Sequence, residues 1–303
     1  MNKAVKPHGP GYDVLRAILR NKLTVVCIII VFALIFIACT VDVFFDYETD
    51  VIAQNPMEIR QRPSAEHWFG TDAHGRDYFA RIMYATRISL VIALSVTISA
   101  TVISTIIGGV AAFVGGWFDT LIMRLTDAIL AIPSTLLVIC LVAVLSNSIP
   151  NIILALTITS IPGMLRNARA AFMVSMQNEY VEAARACGTS NLKIIFGHLL
   201  PNSLGPIIVT GTMNIGAVII ATASMGYLGL GIKAPAPEWG RMLSESQEFM
   251  RTNLYLLLIP GLCILITATV FNLLGDGIRD ATDPRLRGYV KPKKTPFWKR
   301  SGK

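Results

Sequence analysis

Charge is what this 303-residue sequence has least of. Asp, Glu, Lys and Arg make up 15% of it, against about a quarter of a soluble domain. The deficit is gathered in blocks: Ile88–Phe118 and Leu199–Ile232 contain no charged residue at all. With 53% hydrophobic residues and a mean hydropathy of +0.57, this excludes a large soluble core and specifies a chain that crosses a membrane several times. The five cysteines form no CxxC and no Cys/His spacing suited to zinc. Cys27, Cys39, Cys140 and Cys263 lie in apolar runs and Cys187 in a more polar stretch, which excludes a disulfide framework. Gly-Lys occurs only at Gly302-Lys303, so there is no phosphate-binding loop. Gly226–Gly231 has its glycines in the reverse order of a dinucleotide fingerprint. His67 and His74, seven apart in a polar segment, define no metal geometry and read as surface histidines. No span holds a mid-membrane carboxylate, which argues against a proton-coupled carrier.

What is present is a series of apolar runs. Residues 1–22 are polar and basic, with Lys3, Lys6, Arg16, Arg20 and Lys22; His8 lies in the same segment. Leu23–Val41 is the first span. The run is too long and its flank too poor in small residues for a cleaved signal peptide. An acidic segment, 42–87, follows. Further spans are expected over Ile88–Phe118, Leu121–Leu145, Ile152–Ala168 (short, broken at Pro162-Gly163), Leu204–Leu228 and Leu254–Leu274, six in all. Residues 88–275 form the five-helix core and 276–303 a basic tail. Of the 27 Lys and Arg residues, 19 fall on the side shared by the two termini and only 8 in the segments 42–87 and 233–253. That bias places both termini in the cytoplasm and gives the net charge of +8 a membrane partner; nucleic acid is not one.

Glu179–Pro201 stands out as a polar helix–glycine–helix hairpin between spans. Tyr180, Ala183, Ala184 and Cys187 make an apolar but small face; Glu179 and Glu182 suit a helix N-terminus. Gly188 supplies a left-handed stop, and Thr189 or Ser190 caps a second helix with Leu192, Ile195, Phe196 and Leu199 on one face, ended by Pro201. Gly108, Ala112 and Gly116, Ala217 with Ala221, and Thr222 with Gly226 form stripes that admit close helix packing. Membrane prolines Pro133, Pro162, Pro206 and Pro260 predict kinks. Asp77 caps a helix from Tyr78, with Phe79, Ile82 and Met83 as its apolar face. Arg124 and Asp127 pair with each other or with a neighbouring helix, and Asn214 and Asn272 line a polar pathway or bond between helices.

The hairpin carries Glu182-Ala183-Ala184, then Gly188, then Leu200-Pro201. This resembles the EAA loop of permeases from binding-protein-dependent ABC importers; His198 stands where the general pattern has Ile, a departure that resembles the peptide branch. Phe69–Asp77 resembles the branch's FGTDxxGRD signature, Arg87–Leu90 the start of its transport core, and Tyr227–Gly231 with Pro237–Gly240 its LGLG and PxWG segments. Gly275–Asp280 with Asp283-Pro284-Arg285 resembles its closing motif. The likeness to the dipeptide/oligopeptide/nickel permease family covers residues 15–288. It implies an all-α, six-span type I importer subunit of a bacterial inner membrane, non-catalytic and without a cofactor or metal of its own. ATP would be bound by two cytoplasmic ATPase subunits seated on Glu182, Ala183, Ala184, Gly188, His198, Leu200 and Pro201. A second permease subunit, most simply a different chain, would complete the pathway. An extracytoplasmic substrate-binding protein would meet the segments holding Asp72, Arg76, Asp77 and Trp239. The substrate implied is a peptide; nickel or another small solute is the alternative within the family, and a carrier or channel not driven by ATP the alternative outside it.

Overall fold

The computed structural model describes residues 10–282. Lys3, Lys6, His8, the Asp283–Arg285 part of the closing motif and the rest of the basic tail lie outside the described residues. Among those described, every regular element is helical. Helix α1 (Pro10–Arg20) leads into α2 (Lys22–Phe44). At the junction the Asn21 side chain accepts from the Leu23 and Thr24 amides, satisfying two of the donors a helix start leaves open. Helix α3 (Tyr78–Val114) has 37 residues, roughly 55 Å at 1.5 Å per residue. That exceeds the ~30 Å hydrocarbon layer, so its charged first turns, including Arg81 and Arg87, stand clear of the apolar zone.

The third expected span is not one rod. Helices α4 (Gly116–Leu130) and α5 (Ser134–Leu145) meet at 86°. Pro133 at the corner has no N–H to continue α4 and starts α5 instead. Helix α6 (Ile149–Met176), by contrast, runs unbroken through Pro162, a proline that packed neighbours tolerate within a membrane bundle. After α7 (Glu179–Ala186) and α8 (Asn191–Ile194), a π-helical turn at Ile195–Leu199 feeds directly into α9 (Leu200–Tyr227). Pro201 therefore lies at the second position of α9, within a helical path continuous from Ile195, rather than terminating the hairpin. Helices α10 (Trp239–Ser246) and α11 (Leu254–Thr282) are the last among the described residues. Among the described residues, five helices are long and apolar enough to cross a membrane, or six with the bent α4–α5 pair counted as one span.

Close approach decides the packing. A Cβ on Gly108 would lie 2.9 Å from the Leu165 carbonyl of α6, and one on Gly109 would meet the Phe172 ring at 2.9 Å. Helices α9 and α11 likewise touch at Gly216, where a Cβ would be 2.8 Å from the Ala268 carbonyl, and at Gly275 against Met213. The anticipated small-residue stripes are only partly used this way. Gly108 and Ala112 are buried, but Gly116, at φ +57, has open space around it and marks the break between α3 and α4. Ala217 and Ala221 face a cavity instead of a helix. Around this bundle the outward side chains remain apolar, as Val26, Ile29, Phe32 and Phe36 of α2 show, the surface expected where lipid is the solvent.

Replacing Gly108 with Val should lower the melting temperature of the detergent-solubilised protein, by a loss of about 1–3 kcal/mol from overpacking. Gly163→Ala, at a helical position where a Cβ meets nothing within 4 Å, should leave it unchanged or raise it. Equal effects of the two would remove close approach as the explanation.

Candidate functional site

The hairpin at one end of the bundle is built on two opposed demands. Its inner face is pinned: Val181, Ile194 and Leu199 are fully buried beside Phe172 of α6 and Ile207 of α9. Its outer face is bare. Leu192 is 68% and Phe196 65% exposed, and Glu182, Ala183, Cys187 and Gly188 are exposed with them. The apolar residues divide differently from the simple helical stripe: Val181, not Tyr180 or Cys187, faces the core. The stop between the helices is formed as expected. Gly188 has φ +74, its N–H bonds to Arg185 O at 2.9 Å, and the Thr189 N–H reaches back to Ala184 O at 3.1 Å, the paired bonds of a Schellman turn. Ser190 occupies the cap position of α8 without a side-chain bond. His198 is half-buried, its ring 6.4 Å from that of Tyr180, and Leu200 and Pro201 open α9.

The opposite end carries the Phe69–Asp77 motif folded into a tight turn. Gly70 and Gly75 take positive φ, and a Cβ on Gly75 would overlap the Asn55 carbonyl. Asp72 is buried and fully satisfied: it accepts from the His74 amide at 2.7 Å and the Arg76 amide at 3.1 Å, and pairs with Arg76 Nε at 2.6 Å and Arg81 Nε at 3.3 Å. Arg76 and Arg81 both continue to Glu245 of α10, at 3.2 and 3.3 Å, and Arg241 joins it at 2.8 Å. Asp77 caps α3 through the Ala80 amide at 2.8 Å and accepts from His67 Nδ1 at 2.7 Å. His67 is thus a half-buried bridge to Asp77 rather than a free surface histidine, and this carboxylate holds its pKa above the ordinary imidazole value. Tyr78 and Ile82 face the core, and Phe79 stacks among Phe45, Trp68 and Phe69.

Of the four residues singled out at this end, Asp72, Arg76 and Trp239 are therefore inside the protein, 6%, 3% and 1% exposed. They hold the outer surface in shape and do not form it; only Asp77 is partly accessible. Arg81 and Glu245, the hub of the network, were not among the site residues expected from the sequence. The one local signal was Glu245 four residues after Arg241, a helical ion-pair spacing. The end of α9 and the Pro-Glu-Trp-Gly segment form a packing joint in which a Cβ on Gly226 would strike Glu238 and one on Gly240 would strike Ala223, and Gly231 of the Leu-Gly-Leu-Gly segment folds back onto Gly226.

Between the two ends lies a cavity of about 550 Å³ bounded by α5, α6, α9 and α11, reached by both Asn214 and Asn272. Asn214 bonds Thr97 of α3 at 3.2 Å and Asn272 bonds the Ala268 carbonyl of its own helix at 3.0 Å. Asp127 pairs with Arg166, and Asp119 with Arg169, both across to α6. Arg124 is not Asp127's partner, because α4 lies against α6 and brings those arginines nearer. Among the described residues no group of three or more His, Cys, Asp or Glu is placed to hold a metal ion.

Residues 100–288 match the family of binding-protein-dependent transport system inner membrane components. The chain belongs to this family. It is 41% identical over 279 residues to the dipeptide transport system permease protein DppC of Alkalihalophilus pseudofirmus, covering 92% of this chain and 91% of that one. It is 38% identical to the glutathione transport system permease protein GsiD of Pectobacterium atrosepticum, with 92% of each chain covered. In fold it is similar to a chain of the MetNI methionine ABC transporter in an inward-facing conformation. There the TM-score is 0.56 at 17% identity, over 67% of this chain and 96% of that one. The bundle is accordingly the type I importer fold.

Glu238 yields a pH test of the joint. Its carboxylate caps α10 through the Gly240 and Arg241 amides at 2.8 and 2.9 Å. Burial nevertheless pushes its pKa from 4.5 to about 7, outweighing those amides and the Arg241 charge. The folded state therefore holds this proton more tightly than the unfolded chain. The associated stability is fully present below the unfolded pKa and is lost as pH rises through about 7. The melting temperature of the unaltered protein should fall between about pH 5 and pH 8 more steeply than that of Glu238→Gln; parallel slopes would contradict the assignment.

Proposed function

We propose that this chain is one of two membrane-spanning subunits of an ATP-driven importer for di- or oligopeptides, and that it contributes motion and pathway but no catalysis. The observation that carries this reading is the hairpin: a bare outer face on an inner face fixed to α6 and α9. A loop that merely connects spans needs neither. Glu182, Ala183 and Gly188 offer a surface of low bulk, while Ala184 packs inward against the buried cluster, and Leu192 and Phe196 offer apolar anchors for a groove on a cytoplasmic ATPase. The Lys and Arg bias puts the hairpin and both termini in the cytoplasm of a bacterial inner membrane. A pair of ATPases, one under each permease subunit, would close on ATP and draw the two hairpins together. Because α7 and α8 are pinned to α6 and α9, that displacement passes to helices bounding the central cavity and tips the pathway outward. Hydrolysis would reset it.

The opposite end, where the charged network locks the Phe69–Asp77 turn to α10, would receive a substrate-binding protein. The partner subunit is most simply a different permease chain. Peptide transport as the task is supported by the names of the relatives, a dipeptide and a glutathione permease.

In the assembled complex, Glu182→Lys and Phe196→Ala should each release the ATPase subunits on co-purification and lower ATP-dependent uptake at least tenfold, a loss of about 1.4 kcal/mol or more in coupling. Intact uptake and intact stimulated ATPase in both variants would overturn the reading. Uptake that followed a proton gradient and ignored ATP would instead identify a secondary carrier.

A further inference from the structure

His67 stands between two carboxylates and can satisfy both in only one protonation state. Its backbone is held first. The Ser64 and Gly70 amides donate to the His67 carbonyl at 2.8 and 2.9 Å, and the His67 amide donates to Ser64 Oγ at 3.1 Å. This turn presents the ring to the start of α3, where Nδ1 donates to Asp77 at 2.7 Å. Nε2 is buried, has no hydrogen-bond partner among the described residues and lies 3.5 Å from Glu58 Oε2. With Nδ1 carrying the hydrogen that Asp77 accepts, a neutral ring turns a lone pair toward the Glu58 carboxylate, whereas an imidazolium turns an N–H toward it. The Asp77 link therefore survives deprotonation and the Glu58 link does not. His67 also lines a cavity of about 610 Å³ whose other ionisable residues are Asp50, Glu58, Glu66 and Asp77, with no Lys or Arg. Arg76 and Arg81 are committed to Asp72 and Glu245, so the imidazolium is the cation that this acidic wall has to itself.

We propose that His67 is a pH-operated latch: as an imidazolium it clamps the Pro56–Glu58 turn to the cap of α3, and as a neutral imidazole it releases that turn. Glu58 belongs to the framework of this end of the protein. Its carbonyl accepts from the Thr71 hydroxyl, the Arg60 amide donates to Asp72 O at 3.1 Å, and the Thr71 amide donates to Gln61 O at 3.2 Å. Residues 58–61 and the turn at 70–77 are thus held together, and the latch adds a link from the first of these to α3. The hydrogen bond to Asp77 holds the imidazole above its ordinary 6.5, opposed by burial and aided by the charges of Asp77, Glu58 and Glu66. Because the folded value is the higher one, the stabilisation is fully present below the unfolded pKa of about 6.5. It is lost as pH rises through the folded value. Under the importer reading this face would meet the binding protein; the latch itself does not depend on that reading.

Amide hydrogen exchange on the full chain in lipid nanodiscs tests this, each rate being divided by that of the unfolded chain at the same pH. In the unaltered protein, protection of the peptides holding the Arg60 and Thr71 amides should fall about fivefold between about pH 5.5 and about pH 8.5, the worth of one lost hydrogen bond. Glu58→Gln should stay protected at both pH values, because the glutamine amide can donate to the unprotonated Nε2. His67→Asn, whose amide keeps a donor for Asp77 but has nothing to reach Glu58, should be weakly protected at both. Both variants retain Glu238, so its titration cancels from the comparison. Equal protection of the unaltered protein at the two pH values, or a fall in either variant as steep as in the unaltered protein, would overturn the latch. The measurement needs neither ATP nor a partner, so a failure of the importer reading would leave it intact.

Discussion

A short helical hairpin can transmit force only if one of its faces cannot move relative to the body it is attached to. Here that condition rests on the burial of Val181, Ile194 and Leu199 against Phe172 and Ile207. Helices α7 and α8, of 8 and 4 residues, are too short to be stable by themselves. They owe their shape to this contact and to the Schellman turn at Gly188. With the inner face spent on the bundle, the outer face is left to small residues, the charged side chains of Glu179, Glu182, Arg185 and Lys193, and two apolar side chains. The same three buried contacts therefore explain both why the hairpin is rigid and why so much of it is bare.

The bundle above it is arranged by how near helices can come. Glycines at 108, 109, 216 and 275 bring α3 to α6 and α9 to α11 at distances a Cβ would forbid, and packing of this kind is the main source of association where lipid removes the hydrophobic drive. At the far end the currency is different. Asp72, Arg76, Arg81, Arg241 and Glu245 form one buried or half-buried network. Burying charges has a large desolvation penalty that pairing roughly offsets, so such a network sets register more than it adds stability. It ties the turn at 70–77 to α10, two segments far apart in sequence. Between these rigid ends the cavity is bounded by helices that carry prolines, at Pro162, Pro206 and Pro260, and by the α4–α5 elbow.

Much of this was legible in the residues. Uncharged runs locate membrane helices because no unpaired charge is tolerated there, and Gly188 announces a left-handed turn because other residues strain at positive φ. The Glu-Ala-Ala, Gly and Leu-Pro spacing was enough to mark the hairpin. Less legible were features that depend on which helix lies beside which. Spacing left Asp127 to pair with Arg124 or with a neighbouring helix, and packing of α4 on α6 decides for the neighbour, Arg166. The FGTDxxGRD-like motif looked like a surface signature, while three-dimensional pairing turns Asp72 and Arg76 inward. Pro133 and Pro162 are the same residue in similar apolar runs, and one breaks its span while the other is absorbed.

By itself, then, the sequence determined the solvent this protein folds in, the number of crossings to within one, the hairpin and its stop, and the family. Each of these follows from composition or from local conformational limits acting over a few residues. Only the tertiary structure decided which hairpin side chains are buried and which charges are partners. Those depend on distances between helices separated by tens of residues, and no local rule contains them. The hairpin's bare face is the sharpest case: Leu192, Ile195, Phe196 and Leu199 share one face by their spacing, yet Leu199 is buried beside Ile194 while Leu192 and Phe196 stay exposed.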